Sequence, residues 1–202
     1  MSIIRNRSIS PSKAEVSQTI TLWPRGRKLP SGWRLIPFGQ MASLRKRREP
    51  VVADRVYQLI GMRWYAKGAY IKEELLGKQI KSPVLFKVQL GDFVYNRLFA
   101  WKGSFGVIEK ECADGYVSGE FPCFETAEPT NSYYLWMLFG QPWLWKILEG
   151  QSAGSTSTSR LRLKEDFLVK FLIPIPEDSR RREMGTALQS KLKNVSESRS
   201  AA

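Results

Sequence analysis

GDFVYNRLFAWKGSFGVI, residues 91–108, is the stretch from which the remainder of the chain is best read. Gly91-Asp92 is a turn dipeptide, the run Phe93 to Phe99 is rich in β-formers, and Lys102-Gly103-Ser104 makes a second turn before Phe105–Glu109. The pattern continues on both sides. Upstream lie Val84-Leu85-Phe86-Lys87-Val88 and Val56-Tyr57-Gln58-Leu59-Ile60, the latter stopping at Gly61; downstream, Asp114-Gly115 leads into Tyr116-Val117-Ser118. Short strands with turn signals roughly every 8–12 residues predict a compact, strongly bent sheet.

After the sheet the period changes. Thr130 or Asn131 suits the cap of a short helix ending near Gly140, and Pro142 suits the first turn of a second one ending at Gly150. Tyr133, Tyr134, Trp136, Phe139, Trp143 and Trp145 recur there at helical spacing and read as core. Leu168–Ile175 reads as a last strand closed by Pro174 and Pro176. Glu177-Asp178-Ser179 then opens a final helix to about Val195, with Met184, Leu188, Leu192 and Val195 on one narrow stripe that calls for a partner helix. The organisation is a flexible basic leader (1–27), a globular domain (28–176), a helix (177–195) and a disordered tail (196–202).

Charge is concentrated rather than spread. The chain carries 32 Lys+Arg against 19 Asp+Glu, a net +13, and residues 1–48 alone contribute +10. Residues 49–159 sum to −1 and residues 160–202 to +4, so a near-neutral core has a basic approach and exit. That balance points towards a polyanion, most often nucleic acid or an acidic membrane. Residues 1–12 lack an apolar signal-peptide core, and the most apolar stretch, 133–148, is broken by Gly140, Gln141, Pro142 and Lys146; the expectation is a soluble, cytoplasmic protein with no membrane partner.

Catalytic signatures are missing. There is no histidine, so no imidazole relay or His-ligated metal, and Cys112 and Cys123 alone make neither a four-ligand zinc site nor a disulfide framework. No Asp-x-Lys or Glu-x-Lys, Walker loop or Gly-x-Gly-x-x-Gly is present. Glu73-Glu74 and Glu109/Glu111 read as exposed loop acids. A divergent metal nuclease using Asp92, Glu109 and Glu111 is a distant alternative. No cofactor or metal is expected.

Several pieces in order resemble one family. They are Leu29-Pro30-Ser31-Gly32-Trp33, Tyr57–Gly61, Gly91–Ile108, Val117–Phe124, Tyr134-Leu135, Gly154–Leu161 and Ile173-Pro174-Ile175-Pro176. Together, over residues 28–195, they resemble the target recognition domain of type I restriction–modification specificity subunits. The resemblance implies an α/β (α+β) domain with a bent, mainly antiparallel sheet and flanking helices, followed by a spacer helix. It also implies a non-catalytic module that reads one half of a bipartite duplex DNA site, alongside a DNA adenine methyltransferase subunit and a restriction subunit. The chain departs from the pattern in three ways. It holds one recognition domain where the family carries two, and Glu177-Asp178-Ser179-Arg180-Arg181-Arg182 replaces the family's Glu-Gln opening of the spacer helix. Its helix of about 19 residues would span only roughly 28 Å. The expectation is a half-subunit that dimerises, or pairs with another specificity subunit, through the helix, or else a truncated product. An interaction protein that modulates a full specificity subunit without reading DNA is the alternative.

Contacts to DNA follow from side-chain chemistry. Clustered Lys/Arg serves phosphates, forked donors serve guanine, and hydroxyls serve several bases. Arg45, Lys46, Arg47 and Arg48 read as phosphate contacts. Arg63, Trp64 and Lys67 lie in a Gly-bounded loop that reads as a contact or, equally, as a packed loop with a snorkelling Arg. Arg97 and Lys102 flank a hairpin, with Trp101 assigned to the core. Ser155, Thr156, Ser157 and Arg160 line a hydroxyl-rich groove or belong to a disordered loop.

Overall fold

Eleven short strands and four helices follow one another along residues 20–152 and 162–200, the part that the computed structural model describes. The strands are β1 (Arg34–Pro37), β2 (Ala42–Arg45), β3 (Arg48–Pro50), β4 (Val56–Met62), β5 (Ala69–Leu76), β6 (Val84–Lys87), β7 (Phe93–Tyr95), β8 (Phe105–Val107), β9 (Tyr116–Val117), β10 (Cys123–Thr126) and β11 (Leu172–Ile175). The helices are α1 (Pro129–Phe139), α2 (Pro142–Ser152), the single turn α3 (Glu165–Leu168) and α4 (Asp178–Ser200). They form a two-stranded sheet β1-β11, a four-stranded sheet β2-β10-β7-β8 and a five-stranded sheet β3-β6-β9-β4-β5. Between these strands every pairing is antiparallel except β4 with β9. The mixed α/β architecture with a mainly antiparallel sheet is the one expected, but the strands divide among three sheets.

β7 explains why residues 91–108 dominate the reading. Successive strand side chains face opposite ways. Phe93 and Tyr95 enter one apolar cluster with Phe38, Phe105, Phe124 and Phe139, while Val94 enters a second with Ile60, Met62, Val88 and Ile108. The strand is therefore buried on both faces. On β8, Gly106 allows close approach: a Cβ there would lie 2.8 Å from Met62 Sδ and from Gly68 Cα. Phe38 meets Phe124 edge-on at 5.0 Å, and Phe105 meets Phe139 at 4.8 Å. Such geometry adds to area burial in this aromatic core. The buried phenols are satisfied, Tyr95 donating to Leu163 O (2.9 Å) and Tyr134 to Pro174 O (2.6 Å).

Several expectations are corrected. The leader does not run free to residue 27, because Leu22 is fully buried and Leu22 N–H bonds Leu172 O at 2.7 Å. Residues 165–168 form a helical turn, so the last strand starts at Leu172. Glu73 and Glu74 lie on β5, an edge strand, not in a loop. α4 continues to Ser200, so the expected tail at 196–202 is largely helix. At about 1.5 Å per residue its 23 residues span roughly 34 Å, near one turn of B-DNA.

The apolar stripe of α4 already has a partner in its own chain. Met184, Leu188 and Leu192 pack on the main core, with Gly185 so close to α1 that a Cβ would lie 2.1 Å from Thr130 O. Arg181, 8% exposed, anchors the same face through Asn131 Oδ1 and Asp178 Oδ1, both at 2.8 Å. Met184, Leu188 and Leu192, expected to pair with another chain, are thus engaged within their own, and Met184 also borders an outer groove; the Val195 side chain lies outside the described set.

Candidate nucleic-acid interface

The four cations at 45–48 sit where the chain leaves one sheet for another. β2 ends at Arg45 in the four-stranded sheet, and β3 starts at Arg48 in the five-stranded one. The crossing aims the side chains in different directions. Arg47 turns inward and grips Asp92 with two bonds, 2.7 and 3.2 Å. Asp92 is 2% exposed and also accepts Gln89 N–H at 2.8 Å. Burial pushes its carboxyl up, partly offset by that N–H and by Arg47. The phosphate role read for Arg47 is therefore corrected: its guanidinium is a structural counter-ion.

The other three stay on the surface. Arg45 Nε bonds Glu125 Oε2 at 2.5 Å across β2 and β10, and this hydrogen bond holds the Glu125 carboxyl below its usual range. Lys46 and Arg48 are exposed and make no ion pair or side-chain hydrogen bond among the described residues. Both line a cleft of about 270 Å³ whose floor includes Phe86, Phe121 and Pro122.

Arg97 and Glu165 line the same cleft. The Arg97 guanidinium makes a fork with Glu165, 2.9 and 2.6 Å, and donates a further bond to Gly119 O. Burial works against ionisation of Glu165, but its own backbone N–H and Arg97 outweigh it, and its carboxyl lies below the usual range. Lys46 adds to the same positive field. The cleft thus joins two unpaired cations among the described residues, Lys46 and Arg48, to the paired Arg45 and Arg97 and to apolar Phe86, Phe121 and Pro122, chemistry that suits a phosphodiester backbone.

Arg97 and Lys102, read together as flanks of one hairpin, serve different places. Lys102 Nζ stands 3.9 Å above the Trp64 ring and 4.9 Å from that of Trp101. The loop after β4 is bonded to this turn, with Tyr65 N–H on Lys102 O (2.9 Å) and Ala66 N–H on Gly103 O (2.7 Å). Trp64 and Lys102 are thus brought together as one aromatic and cationic ledge, with Lys67 exposed in the same loop. Arg63 stays exposed but lies over Tyr70 at 4.4 Å and donates to Ala69 O at 3.0 Å, so it combines stacking with a free edge. Trp101 is half-buried, its Nε1–H bonded to Leu98 O at 3.1 Å. Lys102 lies five positions after Arg97, so cleft and ledge lie within about 18 Å along the chain.

Ser155, Thr156, Ser157 and Arg160 lie outside the described residues. Tyr65, the second aromatic of the 63–68 loop, is not among the contacts named from sequence, and Glu165 has no signal at all, being 68 positions from the arginine it holds.

Among the described residues no group of three His, Cys, Asp or Glu could hold a metal ion, and Asp92, Glu109 and Glu111 do not converge. Glu109 is half-buried, not an exposed loop acid; burial raises its carboxyl, opposed by a hydrogen bond from Tyr133. Cys112 and Cys123 are buried, and burial pushes their thiols up to about 11 and about 12. Nor is any described helix long and apolar enough to cross a membrane.

No family model matches the chain, and no curated protein is significantly similar to it. Solved structures do match. The HsdS subunit from Thermoanaerobacter tengcongensis is similar with a TM-score of 0.64 and 17% identity, over 88% of this chain and 46% of that one. A chain from a structure addressing complex assembly and conformational transition of the type I R-M system gives a TM-score of 0.59 and 17% identity, over 87% and 46%. The chain thus spans about half the length of these structural relatives. The likeness establishes a shared fold, the one implied by the order of sequence motifs.

Proposed function

We propose that this chain is a DNA-reading module that binds one half of a bipartite duplex target and brings methyltransferase and restriction subunits of a type I restriction–modification system to it. The observation that carries this reading is the seam cleft, where Lys46 and Arg48 stand without ion-pair partners among the described residues beside a clamped Arg97. The shared fold supports it, because the matching structures are an HsdS subunit and a chain of a type I R-M system. Lys46 and Arg48 take phosphates, Arg45 adds charge at the rim, and Arg63, Lys67 and Lys102 make the second contact, with Arg63 reading a base edge. Residues 155–160 are carried as contacts on the sequence argument alone. The chemistry on DNA is done by the other subunits, in the cytoplasm.

α4 supplies the geometry of a spacer, its roughly 34 Å matching about one DNA turn. With Leu188 and Leu192 packed on the core of their own chain, a second helix would use the outer groove lined by Ser179, Arg180, Glu183, Met184 and Ala187. Selection from a random duplex pool, with the chain alone and with a type I methyltransferase subunit, tests the reading. A recurrent half-site supports it. No enriched sequence under either condition refutes it.

A further inference from the structure

The ledge has a feature that phosphate contacts leave unused. Trp64 and Tyr65 are 40% and 57% exposed, although burying either ring would be favourable. Tyr65 and Ala66 also lie in the left-handed region, with φ of 59° and 51°. Residues with a Cβ avoid that conformation, and it persists where surroundings over-determine it. Here they do. Besides the two N–H bonds to Lys102 O and Gly103 O, Trp136 Nε1–H holds Ala66 O at 3.0 Å, and Arg63 N–H closes the loop on Gly68 O at 3.0 Å. Gly68 lets the chain pass over the Trp136 ring, where a Cβ would lie 2.8 Å away.

The pinned backbone keeps two aromatic rings in water instead of letting them fold inward. Trp64 meets Tyr65 edge-on at 6.5 Å, and Trp145 is tilted 48° to it at 5.9 Å, so neither lies flat on the Tyr65 ring. Lys102 Nζ lies over the Trp64 ring, Arg63 and Lys67 are exposed in the same loop, and residues 61–68 and 96–104 contain no acid. A surface built for another protein is typically depleted of charge at its centre. Rigid aromatic rings in an acid-free cationic setting suit a nucleobase, whose π-face stacks while lysines take the flanking phosphates.

We infer that Tyr65, backed by Trp64, is a stacking platform for a DNA base at an opened or kinked step, with Lys67 and Lys102 on the adjacent phosphates. This inference rests on the proposed DNA reading. It adds a step-opening contact from a residue that donates no positive charge.

The test uses the full chain and its selected duplex, carrying 2-aminopurine at successive positions. Wild type should change the fluorescence at one or two adjacent positions. Tyr65→Ala should abolish that change and weaken binding roughly 5- to 150-fold, the range for loss of one base–aromatic stack. Its salt dependence should stay as in wild type, because no cation is removed. Tyr65→Phe should restore both signals. Tyr65→Gly, which relieves the left-handed backbone, should lose affinity while melting no lower than wild type, separating base contact from folding. Wild-type affinity and fluorescence in Tyr65→Ala overturn the inference alone, since DNA is still bound. Equal losses in Tyr65→Ala and Tyr65→Phe also overturn it, because the hydroxyl and not the ring would then matter. A wild-type chain that binds no duplex removes the underlying reading and this one with it.

Discussion

Removing the Arg97 side chain separates two roles that the cleft gives it. In the folded protein Arg97 and Glu165 are 23% and 11% exposed at the side chain and joined by two short bonds. Arg97→Ala leaves the Glu165 carboxylate in a desolvated position without its counter-ion. Breaking a fully buried pair typically costs about 3–5 kcal/mol; with nearly a quarter of Arg97 in water, about 2–3 kcal/mol is the expected loss at pH 7. For a domain of this size that lowers Tm by roughly 5–10 °C. The pH dependence fixes the cause. In wild type the folded carboxyl of Glu165 lies below its unfolded value, so its contribution is present above the unfolded pKa and fades as pH falls through the folded one. In the variant burial acts without the arginine, the folded carboxyl rises above its unfolded value, and acid relieves the strain. The gap between wild type and Arg97→Ala should therefore shrink as pH drops from 7 to below about 4. Urea unfolding at several pH values, with Glu165→Gln and the double variant completing a cycle, measures this. A pH-independent gap, or a coupling near zero, would refute the clamp as described.

Three other outcomes follow from single contacts. Arg47→Ala should destabilise the fold by about 2–4 kcal/mol in urea unfolding, because Asp92 is 2% exposed and loses the arginine fork that faces it. Gly185→Ala should cost about 1–3 kcal/mol and speed proteolysis within α4, since its Cβ would strike the Thr130 carbonyl. Cys112 and Cys123 should react with a thiol reagent only as fast as the protein opens at pH 8, their thiolates disfavoured by burial; rapid labelling of the native chain would contradict their placement.

What the residues revealed beforehand divides along physical lines. Local signals carried well: Gly91-Asp92 and Lys102-Gly103-Ser104 mark real turns, and Pro142 lies at the start of α2 as its ring geometry favours. β5 escaped because Lys72, Glu73 and Glu74 interrupt its apolar pattern, as an edge strand tolerates. The stripe on α4 correctly announced a helical partner, yet a stripe cannot say which helix, and α1 lies in the same chain. In the candidate interface, residue type identified cations but not their partners. Arg47 and Arg48 are neighbours in sequence, and only the crossing between sheets sends one to Asp92 and the other to the cleft. Glu165 and Asp92, which decide which guanidinium is committed, come from distant positions with no local signature.

The most direct measurement is the salt dependence of duplex binding by wild type and by a Lys46→Gln/Arg48→Gln variant. Each phosphate neutralised contributes about 0.9 to the slope of log K against log salt. Unaltered folding by circular dichroism, weaker binding to every duplex and a slope reduced by about two would be the expected result. An unchanged slope and affinity would contradict the assignment of the seam cleft as the place where this chain meets DNA.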